Sequence, residues 1–402
     1  FTERRGNMAV TDISELRKKR QAKKTRNLII KIFIVLLICG AALVAVFTKD
    51  MWYPYLNGVL TTIPETVQPE ASSAELAEGK FPIKVEGGLG YQLMSIDNCI
   101  AVLDDSQFHI YSSDGKVMNE RQHTYANPLL CVSGSKALIY DEGGRDFSLE
   151  SKYKTIYEKT ADDIIYIAKL SSSDYAAVVT KSDKFLAMLK IYNANGEPIF
   201  TYYSYDSRII NVTFTNNSAG CIVTVLTAEN GQLVSKMIRF DFSDTDPKWV
   251  SDGIPALALD TRFTSDGGII MIGDTMSAGF DSEGNIVSQY SYDYTIEDYD
   301  SNGEITGVLT INSDLRRTAL ITFSGSNCTS PITTVLDDDA EKVFVDGSSA
   351  YILSGDGIDV YTANGLNTGS IALEDTYDDL CRNGKYIYLM GYDTINRIDY
   401  SD

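Results

Sequence analysis

Histidine and tryptophan are scarce: the 402 residues contain two of each. With His109 and His123 as the only imidazoles, a zinc site, a hydrolase triad and histidine-based acid–base chemistry all lack material. His109 sits in an alternating Phe-His-Ile-Tyr run, where an outward or hydrogen-bonded ring is the expectation. None of the six cysteines is spaced Cys-x-x-Cys, and no glycine-rich loop precedes a helix to cradle phosphate. Basic charge is also missing from most of the chain. Ten of the 35 basic residues and three of the 55 acidic ones fall at or before Lys31, leaving 25 against 52 in the remainder. A domain that acidic repels nucleic acid, whose backbone demands positive charge. Its partners are expected to be neutral, cationic or metal-bridged.

One long hydrophobic run is present. Leu28–Phe47 supplies about the 20 apolar residues that a helix needs to cross a bilayer, and Lys31 is its only charge, near enough to the end to snorkel. Arg17, Lys18, Lys19, Arg20, Lys23, Lys24 and Arg26 precede it, so the positive-inside rule puts residues 1–27 in the cytoplasm as a basic tail. Trp52, Tyr53 and Tyr55 follow, as an aromatic belt on the outer face would. A cleaved signal peptide would need a small-x-small site with polar residues after it, and the sequence beyond the run offers none. A lipoprotein site is also disfavoured, because Ile38 stands where a small residue belongs before Cys39. Residues 28–47 therefore read as a signal anchor spanning the cell membrane once, and the domain beyond as extracytoplasmic. Residues 48–80, rich in Pro, Glu, Ser, Ala and Thr, read as a solvated spacer.

From Phe81 to the end, short apolar or alternating runs are punctuated by Asp-Gly and Asn-Gly turns, the pattern of strands and hairpins. A repeat organises them. Phe108–Gly115, Leu189–Gly196, Ala278–Gly284 and Ile358–Gly365 are versions of one unit, a strand followed by a turn closing on glycine. The separations of 81, 88 and 81 residues between those glycines are too long for one propeller blade and fit two. Quartets of strands are expected to open near Tyr91, Pro128, Ile164, Ile209, Ile254, Ile296, Glu341 and Tyr377. The last quartet is one strand short, and Phe81–Val85 is a strand without a quartet, so the N-terminal strand is expected to close the ring and cover an edge. The expected fold of residues 81–402 is an all-β, eight-bladed propeller; seven blades is the alternative if 296–339 is an insertion.

These repeats resemble those of the quinoprotein-like or WD40-like propeller superfamily. The whole plan (basic tail, one span, spacer, propeller) is similar to a family of single-pass, membrane-anchored propeller proteins of Gram-positive bacteria that carries no assigned activity. The resemblance implies a fold and no reaction. It departs from quinoprotein enzymes in lacking blade-by-blade tryptophan docking, since Trp249 is the domain's one Trp, and from the eukaryotic repeat in lacking a Trp-Asp ending.

Three features bear on function. Asp298-Tyr-Asp300-Ser-Asn302-Gly303 matches the opening of a calcium loop, but the ninth and twelfth positions are Thr306 and Leu309, not ligands. Asp298, Asp300 and Asn302 are the metal candidates, and calcium is the one cofactor considered; the rival reading is an ordinary turn composition. Tyrosine is abundant, 25 in all. Tyr202, Tyr203 and Tyr205 are expected in the outer strand of the third blade, and Tyr290, Tyr292 and Tyr294 in that of the fifth; they serve packing between blades or form an interaction surface. Five cysteines lie beyond the span and read as buried thiols, the alternative being one disulfide among Cys99, Cys131 and Cys381 in neighbouring blades. No catalytic motif emerges. The function expected is a non-enzymatic scaffold or binding module for a protein or cell-wall partner, anchored in the membrane by one helix. The runner-up is an enzyme, or a sugar- or cofactor-binding propeller, using carboxylates and calcium at the central channel. A sensor signalling through the span is a third reading, and the tail is too short to hold an output domain.

Overall fold

The computed structural model describes residues 72–73, 80–85, 90–312, 317–336 and 340–400. The basic tail, the hydrophobic run and nearly all of the spacer lie outside them, as does the acidic triplet 337–339. Every element among the described residues is a strand.

Eight antiparallel sheets succeed one another along the chain, each with its first strand facing a central channel. The inner strands of blades 1 to 8 are Gln92–Ile96, Pro128–Ser133, Ile165–Leu170, Arg208–Phe214, Ala258–Phe263, Thr295–Ser301, Ala340–Asp346 and Asp379–Asn383. Each opens within four residues of where the sequence pattern starts a quartet, and blade 6 is a full blade, which leaves eight and excludes seven. Second strands such as Cys99–Leu103, Ala176–Thr180 and Ile269–Gly273 are buried at every residue. Their continuous apolar sequence follows from neighbours on both faces. Outer strands such as Val117–Gln122 carry the exposed, charged residues.

The core is divided among the interfaces. Eight hydrophobic clusters form, and each joins one blade to the next: Phe108 and Leu103 of blade 1 pack with Ile139 of blade 2, and Tyr351 and Val360 of blade 7 with Ile387 of blade 8. The cluster of Ile83, Val85, Leu93, Ile100, Tyr388 and Ile395 joins blade 8 to blade 1. That contact is completed by Ile83–Lys84, which takes the fourth place in blade 8 by pairing Ile83 with Ile395 and Lys84 with Thr394. The Tyr91 hydroxyl donates across the same seam to the Gly391 carbonyl at 2.8 Å. Blade 7 gains a fifth strand, Ser72–Ser73, which runs parallel to its outer strand Asn367–Ala372.

The repeated turn has a structural meaning. Gly115, Gly196, Gly284 and Gly365 each end the turn between third and fourth strands of an odd-numbered blade, all with φ between 74° and 83°. Each also abuts the preceding blade, Gly115 against Lys80 and Phe81 just before its outer strand and the other three against the outer strand itself, Gly284 on the ring of Trp249, so a side chain there would meet both strain and a neighbour. Even-numbered blades turn differently, which is why the repeat spans two blades.

Candidate functional site

The central channel encloses a cavity of about 820 Å³. Its chemistry comes from a local irregularity. The inner strands of blades 3 to 7 each slip register near their start, between Ile165 and Ile167, Ile209 and Asn211, Ala258 and Asp260, Ile296 and Asp298, and Ala340 and Lys342. A bulge re-aims the side chain that follows it. At the resulting position stand Asn211, Asp260, Asp298 and Lys342, all lining the channel, and two residues on stand Lys169, Thr213, Arg262 and Asp300.

These groups are engaged with one another. Asn211 Nδ2 donates to Asp260 Oδ1 at 2.7 Å, and Arg262 Nε to Asp260 Oδ2 at 2.8 Å. Asp298 Oδ2 accepts the Val343 N–H at 2.8 Å and Asp300 Oδ2 the Val345 N–H at 2.7 Å, both from blade 7. Lys342 Nζ lies 3.7 Å from Asp298 Oδ1. In blade 1 the Gln92 amide does the same work, giving to the Pro128 carbonyl and taking the Leu130 N–H. The channel lining is thus a run of side-chain clamps from one blade onto the backbone of the next.

The three metal candidates belong to this set. Asp298 and Asp300 lie in a paired strand, opposite Leu309 and Gly307, rather than in a loop. Asn302 Oδ1 accepts the Glu304 and Ile305 amides, and its Nδ2 donates to the Gly347 carbonyl at 2.7 Å. Among the described residues, no group of three or more His, Cys, Asp or Glu is placed to hold a metal ion.

Burial raises two channel carboxyls, Asp300 and Asp379, above the usual carboxylate range; backbone amides and distant cations only partly offset it. A carboxyl raised by folding contributes stability below its unfolded pKa and loses it as pH climbs through the folded value. Asp379→Asn keeps an acceptor for the Leu380 N–H, 2.8 Å away, and removes the charge. The variant should therefore melt above the parent at pH 7, with the gap closing below about pH 4. A melting series from pH 3.5 to 8 checks this, and a constant or inverted gap would remove burial as the cause.

The tyrosines divide between packing and exposure. Tyr202 packs on Phe240 of blade 4, and Tyr290 and Tyr292 join the blade 5–6 cluster, with the Tyr292 hydroxyl 2.5 Å from Ser277 Oγ. Tyr203 and Tyr205 stay 42% and 73% exposed, and Tyr294 is also exposed, on another blade. Both of the first two pack on Phe185 with ring centroids 4.7 Å away, Tyr203 tilted and Tyr205 edge-on, and Leu186 beside it is 48% exposed. Phe185, Leu186, Tyr203 and Tyr205 make an apolar ledge on the rim of blade 3. Sequence reasoning missed Phe185 and Leu186, although two large apolar residues after Lys-Ser-Asp-Lys in a turn are a signal.

Both histidines are structural. His123 Nε2 lies 3.1 Å from the Asp104 carbonyl and Nδ1 accepts the Tyr125 N–H at 3.3 Å, which fixes a neutral ring, and burial lowers its pKa. His109 stacks on Tyr111 at 5.4 Å. Cys99, Cys131, Cys221, Cys328 and Cys381 are all free, and burial pushes the thiols of Cys221 and Cys328 up to about 12.

Residues 81–399 match the model of a family described as "Family of unknown function (DUF5711)". No curated protein matches the chain. Among solved structures, the chain is similar to the C-terminal WD40 domain of Sif2, with a TM-score of 0.60 at 12% identity over 83% of this chain and 99% of that one. It is similar to Chaetomium thermophilum Sqt1 bound to the N-terminus of the ribosomal protein L10, at 0.55 and 9% over 78% and 99%. It is also similar to the dihydro-heme d1 dehydrogenase NirN in complex with DHE, at 0.56 and 12% over 82% and 78%. At such identities the likeness is one of fold, a WD40-like propeller, and it includes both a protein binder and an enzyme.

Proposed function

We propose that this chain, which belongs to the DUF5711 family, is a protein-binding propeller held at the extracytoplasmic face of a membrane by residues 28–47. The observation that carries the reading is the ledge of Phe185, Leu186, Tyr203 and Tyr205, in which three exposed apolar side chains surround a half-buried Phe185 on the rim of blade 3. Aromatic residues of this kind supply contact area at low entropic cost and dominate interface energetics. The channel supports the same reading from the other side: its charged groups already serve as clamps between blades. The fold also has a relative of known binding mode, in that Sqt1 holds the N-terminus of another protein. The partner expected here is a protein, or a cell-wall component, of the envelope.

Lys184, exposed beside the ledge, gives a handle for the test. Intact wall-stripped cells are treated with a membrane-impermeant amine crosslinker, and the full-length chain is recovered with whatever it has captured. The Phe185→Ala/Tyr203→Ala/Tyr205→Ala variant should fold as the parent does and recover at least about tenfold less of the same partner. Undiminished capture would end the ledge as the contact surface. Labelling only by a permeant reagent would end the extracytoplasmic placement.

A further inference from the structure

The outer edges of a propeller are rows of free backbone groups, and each is an invitation to strand pairing unless something guards it. Six edges here are guarded. Blade 1 carries Glu120 and Arg121 in its outer strand, and blade 2 carries Glu158 and Lys159. Blade 3 opens on Pro198, and blade 6 has Pro331 in mid-strand. Blade 4 offers two residues, Trp249–Val250, just after Pro247 and Lys248. Blade 5 has an outer strand, Ile286–Ser291, without charge or proline, and only its Ser288 side chain engages the next blade, accepting the Cys328 N–H at 2.8 Å and donating to the Ser326 carbonyl. Blade 8 ends on the short Ile83–Lys84, preceded by Pro82.

Blade 7, like blade 5, has none of the charged, proline-containing or shortened outer strands of the others. Its outer strand, Asn367-Thr-Gly-Ser-Ile-Ala372, is six residues long, with no charge, no proline and mostly small side chains. It is also the blade that holds a fifth strand among the described residues, with Ser72 paired to Ile371 and Ser73 to Ala372 in parallel. The unguarded edge and the added strand are independent observations that meet at one place. We infer that the outer edge of blade 7 is a strand-addition site and that its occupant is the chain's own spacer, latched there through Ser72–Ser73.

The latch recruits an extended, uncharged, small-residue segment, and Ala71-Ser-Ser-Ala74 supplies one within an otherwise acidic and proline-containing spacer. Two paired residues make a weak grip, so it opens far more readily than the ring unfolds. The consequence for mounting rests on the membrane reading, whereas the latch itself does not. Holding the chain at Ser72–Ser73 instead of at Lys80 shortens by nine residues, up to about 30 Å, the stretch of sequence between the hydrophobic run and its attachment to the ring.

The test uses the full-length chain in detergent micelles. Ser73→Cys combined with Ala372→Cys should form an intrachain disulfide on mild oxidation, and Ser73→Cys combined with Val287→Cys, on the exposed edge of blade 5, should give at least about tenfold less. Equal yields from the two pairs, or a disulfide found only between two chains, would overturn the latch. A second readout needs no cysteine: Ser72→Pro/Ser73→Pro removes both backbone donors while the ring keeps its melting temperature. Amides of residues 370–372 should then exchange with solvent about tenfold faster than in the parent. Unchanged exchange would overturn the inference as well.

Discussion

A chain lacking residues 81–85 should melt at least about 10 °C below the intact one. Ile83 and Val85 are 8% and 5% exposed, sit in the core shared by blades 8 and 1, and hydrogen-bond the strand Thr394–Asp399, the Val85 N–H reaching the Asp393 carbonyl at 2.8 Å. Phe81 adds a ring contact to Tyr388 at 5.8 Å and lies under the Arg397 guanidinium, 5.2 Å from it. Burying each of three such side chains is worth about 1.5–3 kcal/mol, so the strand contributes roughly 5 kcal/mol or more before its backbone bonds are counted. For a domain of this size each kcal/mol moves the melting point by about 2–4 °C. Removal also strips the outer edge of blade 8 and parts the first blade from the last, so the loss propagates round the ring. The control is deletion of 243–247, an exposed turn of the same length, which should shift melting by no more than about 2 °C. Parallel melting of the two deletions would mean that the ring is held shut by something other than this strand.

The blade count was legible because turn chemistry leaves a mark that packing cannot blur. The turns at Gly115, Gly196, Gly284 and Gly365 demand positive φ, and the residues three places before each glycine, Ser112, Asn193, Asp281 and Thr362, accept the glycine N–H. Only odd-numbered blades use that turn, so doubling the count of four yields eight. The channel was illegible for an equally physical reason. Which residues face it depends on five one-residue slips at the starts of the inner strands, and a slip moves a side chain to the other face without any signature in composition. Asp298, Asp300 and Asn302 therefore looked like alternate ligands of one loop, whereas the fold points the two carboxylates at Val343 and Val345 of the next strand round. The tyrosines failed to sort for a related cause. Tyr202 and Tyr203 are adjacent in one strand, yet the first faces Phe240 and the second Phe185 and solvent. Alternation says that they differ; only the neighbouring blade says which one is inside.

The same geometry places one ion pair where its loss should be severe. Arg121, on the outer strand of blade 1, reaches across the first interface to Glu150 of blade 2, which is fully buried, and to Glu158 at the surface. Ser148 completes the group, 2.6 Å from Arg121 and 2.8 Å from Glu150 Oε1, while Glu150 Oε2 has no hydrogen-bond partner. A buried carboxylate with one oxygen unsatisfied depends on the guanidinium for nearly all its compensation. Arg121→Ala should thus cost about 3–5 kcal/mol, the price of an uncompensated buried charge rather than of a lost contact. Arg121→Met with Glu150→Met removes both charges and refills the space, and should recover most of that loss, since apolar replacements of buried pairs are often neutral. Losing Glu158 alone should cost under about 1 kcal/mol, because that carboxylate is exposed. Urea titrations of the three variants, read as midpoint shifts at a common slope, give the comparison. If Arg121→Ala and the double methionine variant lost the same stability, the damage would come from packing and not from charge, and the pair would be no more than a filler of the first interface.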